Sequence, residues 1–82
     1  MGKVDFYYLP GCPYCAQVER LLKQLDVTYE RHEVPPDRND RSTLRQVTGQ
    51  TEVPAIVDRF HGVEGMNGRR AIVDHLRTTY DD

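Results

Sequence analysis

No stretch of this 82-residue chain approaches the roughly 18 consecutive apolar residues of a membrane-spanning helix. The opening residues Met1-Gly2-Lys3-Val4-Asp5 also lack the apolar region of a secretion signal, so the expected compartment is the cytoplasm. Excess basic charge is missing too. Eleven Lys and Arg face thirteen Asp and Glu, for a formal net charge of −2. A domain built to grip phosphates would be clearly basic, so nucleic acid is not an expected partner. Tryptophan is absent, and cysteine occurs twice. Two cysteines in a cytoplasmic chain point away from a structural disulfide framework. A four-ligand zinc knuckle needs a second C-x-x-C pair, which is lacking, and His32, His61 and His75 do not supply the alternative spacing. Internal repeats and linker-like segments are lacking as well. Residues 1–82 therefore read as one small domain, expected to be a monomer.

What is present centres on Leu9-Pro10-Gly11-Cys12-Pro13-Tyr14-Cys15. The β-branched and aromatic run over residues 3–8 predicts a strand that stops at Pro10-Gly11. Val18, Leu21, Leu22 and Leu25 recur at i, i+3, i+4 and i+7, which predicts a helix over residues 13–26. Pro13 suits the first helical position, and Cys12 then falls at the N-cap. Residues 27–34 resume strand character until Pro35-Pro36-Asp37. A short second helix is expected, capped by Asp40 or Ser42, with Leu44 and Val47 inward and Gly49 as its stop. Residues 53–58 read as a buried third strand, and Phe60 to Glu64 as a fourth. A last helix is expected from about Gly68 to Thr79, with Ala71, Ile72, His75, Leu76 and Thr79 on its inner face. Asp81-Asp82 reads as a solvated tail. This order gives an α/β domain with a mixed four-stranded sheet flanked by three helices.

Both cysteines lie where a strand hands over to a helix. A thiolate, not a thiol, attacks disulfides, and the unpaired N–H groups of a helix start favour negative charge on Cys12. Cys15 lies one turn in, on the same side, where it can attack a mixed disulfide on Cys12. C-x-x-C in this position reads as a redox dithiol. Pro13 stiffens the loop and Tyr14 places a ring at its rim.

These residues resemble a glutaredoxin. Cys12-Pro13-Tyr14-Cys15 matches the dithiol motif of that family, and element order, length and landmark spacing agree along the whole chain. The resemblance implies a thioredoxin fold. It also implies reduction of protein disulfides and glutathione-type mixed disulfides, with no bound cofactor and with glutathione or a similar small thiol as co-substrate. Val53-Pro54 resembles the family's Thr-Val-Pro, which implies a cis proline facing the cysteines and a Val53 backbone that pairs with the bound thiol. The turn at Gly65-Met66-Asn67-Gly68-Arg69 corresponds to the segment holding the γ-glutamyl end of glutathione. Tyr14, Arg45, Val53, Pro54, Asn67, Gly68 and Arg69 are therefore the implied thiol-ligand residues, with Arg45 matching a position that meets the ligand's glycine carboxylate. The last stretch, with Ala71-Ile72-Val73 and Leu76, is also similar to the N-terminal domain of glutathione transferases.

The chain departs from the family at several points. The acidic pair expected at the start of the last helix is replaced by Asn67, Gly68 and Arg69. Tyr8-Leu9-Pro10-Gly11 carries no basic residue before the motif. Glu52 stands where the family has Thr, and a carboxylate near the thiols disfavours a thiolate, with Arg41 and Arg45 available to offset it. These departures keep open a protein recharged by a thioredoxin reductase or by another small thiol. A glutathione-binding or iron–sulfur-carrying module is the remaining alternative. His75 reads as a half-buried structural residue, Tyr29 as sheet packing, and one of Tyr7 and Tyr8 as facing the site.

Overall fold

A computed structural model of the chain describes residues 3–80, so the Asp81-Asp82 tail lies outside it. Strand β1, Val4–Tyr8, is followed by helix α1, Pro13–Gln24, and strand β2, Tyr29–Glu33. Helix α2, Ser42–Thr48, precedes strand β3, Ala55–Asp58, strand β4, Val63–Asn67, and helix α3, Arg69–Tyr80. The sheet order is β2-β1-β3-β4. β1 and β2 are parallel, as the crossover through α1 requires, whereas β1/β3 and β3/β4 are antiparallel. The mixed four-stranded sheet with three helices is therefore as the sequence predicts.

Two cores form because β1 and β3 are central strands, apolar on both faces. On one face Val4, Phe6 and Ile56 pack against Val18, Leu21 and Leu22 of α1 and against Ile72 and Leu76 of α3. On the other, Tyr7, Ala55 and Val57 meet Val34 and Leu44, the inward residue of α2. Full burial of a side chain such as Phe6, Leu22, Ile72 or Leu76 contributes about 1.5–3 kcal/mol each.

Four local expectations are corrected. The fourth strand begins at Val63, because Arg59–His61 form a 3₁₀ turn. Asp58 closes that turn by accepting from His61 Nδ1 at 3.1 Å, and Gly62, at φ +78°, ends it. Gly65, Met66 and Asn67 are consequently strand rather than turn. Gly65 is there for close approach: a Cβ would lie 2.8 Å from the Thr48 Cα of α2. Neither Asp40 nor Ser42 caps α2. Asp40 belongs to a preceding 3₁₀ turn, and the cap residue is Arg41, without a side-chain cap bond. Arg41, only 7% exposed, instead donates to the carbonyls of Pro35, Thr51 and Pro36 at 2.8, 2.8 and 3.2 Å, tying two loops together. Finally, Ala71 is exposed, since the buried stripe of α3 is Ile72 and Leu76, flanked by half-buried Val73 and His75.

At the far end of β3 lies a polar cluster that the sequence did not announce. Asp58, 1% exposed, accepts from Tyr80 Oη at 2.7 Å, His75 Nε2 at 3.0 Å and His61 Nδ1 at 3.1 Å. Burial pushes its carboxyl pKa up, but these three donors outweigh burial and hold it below the usual value. His75 is thus half-buried and structural, as expected, with a specific partner.

Candidate active site at the mouth of the first helix

The loop from β1 to α1 turns at Gly11, whose φ of +84° suits a residue without a Cβ, while Cys12 N–H donates to the Leu9 carbonyl at 3.2 Å. Cys12 is the N-cap of α1. Its carbonyl accepts the first helical bond, from Ala16 N–H at 3.1 Å, and Pro13 follows at the first helical position. The Cys12 Sγ occupies the place of a capping oxygen and accepts from Cys15 N–H at 3.2 Å. A sulfur there interacts most favourably with the helix start when it is anionic.

The two thiols are both free, and their surroundings differ. Cys12 is half-buried and opens to solvent. Cys15 is 3% exposed, packed in the core with Val18, Leu22 and Phe6. Burial first, then hydrogen bonding with Cys12, pushes the Cys15 thiol up to about 12, against weaker opposing effects of the Leu9 backbone and the Arg41 charge. At neutral pH Cys15 is therefore a neutral thiol beneath an accessible sulfur.

Two grooves lie at the motif, one lined by both cysteines and the other by Tyr14 between them in sequence. One, of about 190 Å³, runs past Tyr8, Pro10, Cys12, Cys15, Glu19 and Arg31. Tyr8 is the tyrosine on this side of β1; Tyr7 faces the other core. The sequence has no cation ahead of the motif, yet Arg31 lies 4.4 Å over the Tyr8 ring and its Nε is 2.8 Å from Glu19. Glu19 also accepts from Tyr29 Oη at 2.8 Å. Arg31 arrives by strand pairing, since β2 sits parallel to β1 with Arg31 opposite Phe6. Its position in a strand pattern was visible in the sequence; its place on the groove that holds the thiols was not.

The second groove, of about 440 Å³, brings together Tyr14, Val53, Pro54, Asn67, Gly68 and Arg69, with Gln50, Glu52 and Arg70 completing its wall. Tyr14 is 55% exposed. The Val53–Pro54 peptide is cis. Among the described residues neither the N–H nor the carbonyl of Val53 has a protein partner, and Val53 lines the groove. Two bonds fasten its walls: Gly68 N–H to the Pro54 carbonyl at 3.0 Å, and Asn67 Nδ2 to the Glu52 carbonyl at 2.9 Å. Gly68, at φ +93°, immediately precedes α3. Arg45 lies on the exposed surface of α2 and does not line this groove, and Arg41 is committed to the carbonyls described above. No acidic residue occurs in the first turn of α3. Arg70 and Gln50 are wall residues that the motif spacing did not single out.

The arrangement presents one accessible sulfur, a second sulfur held in reserve beneath it, and an unpaired peptide edge beside a 440 Å³ groove. The family model for glutaredoxins matches residues 4–61. A protein of Clostridium pasteurianum, described as an uncharacterized glutaredoxin-like 8.6 kDa protein in a rubredoxin operon, is 27% identical over 73 residues, covering 89% of this chain and 95% of that one. The crystal structure of a thioredoxin-like protein superposes with a TM-score of 0.74 at 28% identity, covering 93% of this chain and 97% of that one. A glutathione transferase homologue of Drosophila mojavensis, solved with bound glutathione, superposes with a TM-score of 0.81 at 22% identity, over 98% of this chain and 36% of that one, which is a likeness of fold.

Proposed function

The chain belongs to the glutaredoxin family, and on that premise we propose that it is a thiol–disulfide oxidoreductase that reduces protein disulfides and glutathione-type mixed disulfides through Cys12 and Cys15. The observation that carries this reading is the pairing of an accessible Cys12 Sγ, held by the Cys15 N–H at the start of α1, with a buried Cys15 thiol one turn away.

The Cys12 thiolate attacks one sulfur of the substrate disulfide. That S–S bond breaks, the other half leaves as a thiolate, and Cys12 is joined to the first half. The Cys15 sulfur then attacks the Cys12 sulfur, closing an internal disulfide. Its proton goes to the departing thiolate. Two electrons have passed to the substrate. Two equivalents of a small thiol, or a reductase, return the internal disulfide to the dithiol. Burial and the neighbouring Cys12 hold the proton on Cys15, and joining Cys12 to the substrate removes the Cys12 charge, which eases the second attack. The unpaired Val53 N–H and carbonyl can pair with the backbone around the sulfur under attack.

The assay is reduction of a small mixed disulfide by the purified protein with glutathione. Turnover is expected in wild type and none in Cys12→Ser. Cys15→Ser is expected to retain part of the activity on mixed disulfides, since an external thiol can resolve Cys12. Absence of turnover in wild type, or full turnover in Cys12→Ser, overturns the proposal.

A second reading concerns the electron donor. The first turn of α3 lacks an acid, and Arg69 and Arg70 stand there instead, so the ammonium of a glutathione finds no carboxylate partner on that helix start. This favours recharging by a thioredoxin reductase or by a different small thiol. Oxidised protein reduced faster by NADPH and reductase than by millimolar glutathione supports it; the reverse order removes it.

A further inference from the structure

We propose that an arginine-lined surface, running from the groove beside Tyr14 along the seam between α1 and α3, docks an acidic segment of the protein whose disulfide is reduced. The proposal rests on the thiol–disulfide reading and adds the chemical class of the partner.

A shallow groove of about 220 Å³ lies between α1 and α3, lined by Arg20 and Gln24 on one side and by Arg69, Val73 and Arg77 on the other. No acidic residue lines it. Arg69 also lines the groove beside Tyr14, together with Arg70. Its guanidinium stands 5.4 Å from the centre of the Tyr14 ring, between the two cysteines in sequence. The two grooves are therefore one continuous surface with Arg69 at their junction.

The charge on this surface is not a reflection of the whole molecule, whose formal net charge is −2. Among the described residues, none of Arg20, Arg69, Arg70 and Arg77 forms an ion pair; the pairs present join Lys3, Arg31 and the histidines to carboxylates elsewhere. Three acids lie on the elements concerned. Glu19 of α1 is engaged by Arg31 and Tyr29, Asp74 of α3 is exposed and unpaired among the described residues, and Glu52 stands on the wall of the groove beside Tyr14. Four guanidinium groups are left with their donors directed to solvent, and such forks match carboxylates in pairs. The surface ends at Tyr14, which lies between the two cysteines in sequence, so an occupant that carries a disulfide can bring a sulfur to Cys12. A protein segment carrying a cystine among acidic residues does so, and a nucleic acid does not. Complementary charge of this kind raises encounter rates and selects among partners more than it raises affinity.

The test uses two peptides with the same central cysteine, one flanked by Glu and one by Lys. Binding of their S-methylated forms to the full chain carrying Cys12→Ser and Cys15→Ser is followed by NMR. The acidic peptide is expected to bind about tenfold more tightly in low salt, with shifts at Arg20, Arg69 and Arg77, and to lose the preference near 0.5 M salt, where charges more than about 4 Å apart are screened. Arg69→Glu with Arg77→Glu is expected to reverse the order. Arg38→Glu, in the 3₁₀ turn before α2, makes the same charge change per residue away from the seam and is expected to leave the order intact. Equal binding of the two peptides, an order unaltered by the double reversal, or tighter binding of a single-stranded oligonucleotide of equal charge overturns the proposal. Wild-type protein is then given the two peptides as mixed disulfides. Reduction in the same order supports the proposal. Binding in that order without reduction of either peptide removes the redox reading and leaves the docking surface standing.

Discussion

The two ends of β3 handle ionisable groups in opposite ways. At its start, beside cis-Pro54, the Cys12 sulfur has a single N–H donor and opens to solvent, with unpaired Val53 peptide groups alongside. At its end, the Asp58 carboxylate is buried and receives donors from three side chains of the following turn and of α3. One end keeps bonding capacity in reserve, and the other uses it up. A sulfur that must form and break bonds with a partner has to remain under-coordinated. A carboxylate that holds the C-terminal helix to the sheet is stabilising only when every buried lone pair is met. Among the described residues no buried side-chain polar atom lacks a partner.

Substitutions at the two ends should separate activity from stability. The largest effect is expected from Cys12→Ser, which should lower disulfide reduction on the order of a thousandfold or more, because a hydroxyl supplies almost no anion at neutral pH. Its unfolding midpoint should scarcely move, and a concurrent collapse in stability would blur the contrast. Asp58→Ala should do the reverse. Stranding the donors of His61, His75 and Tyr80 should cost about 3 kcal/mol, lowering Tm by about 15 °C in a domain this small. Disulfide reduction by the molecules that remain folded at low temperature should stay at the wild-type rate.

The fold was legible wherever one periodicity dominated. The stripe of Val18, Leu21 and Leu22, the proline at the start of α1, and the strand ahead of the cysteines stand as read. Phe60 to Glu64 misled because aromatic and β-branched content there resembles a strand, while Asp58 closes a 3₁₀ turn through a side-chain bond that no periodicity reveals. Arg41 misled in a similar way. In sequence it is one more surface cation, yet three carbonyls from two loops converge on it.

The acid side of the pH profile gives a smaller, sharper test. Asp58 titrates lower in the folded chain than in the unfolded one, so the folded state binds fewer protons as that group ionises. Its contribution is fully present above the ordinary carboxyl value near 4 and is lost as pH falls through the depressed folded value. Tm measured from pH 7 downward should therefore decline more steeply in wild type than in Asp58→Ala. Parallel curves would detach the cluster from acid stability. The smallest effect belongs to Tyr14→Ala, within about 0.5 kcal/mol in unfolding, because the ring is more than half exposed. A larger loss would mean that the thiol end also serves the core.

The sequence by itself determined the element order, the handover from strand to helix at the cysteines, and the chemistry a C-x-x-C pair can perform there. These follow from local periodicity and from the N–H groups that every helix start leaves unpaired. Only the tertiary structure decided how deeply each sulfur is buried, which cation lines the thiol groove, and where the arginines gather. The sequence separates Cys12 from Cys15 only by their places at the helix start; packing against Phe6, Val18 and Leu22 buries Cys15 and leaves Cys12 open. Arg31 reaches the thiol groove through strand pairing, and Arg20, Arg69 and Arg77 meet because α1 and α3 share one face of the sheet. Burial and proximity are relations between distant segments, and they exist only once the chain has closed on itself.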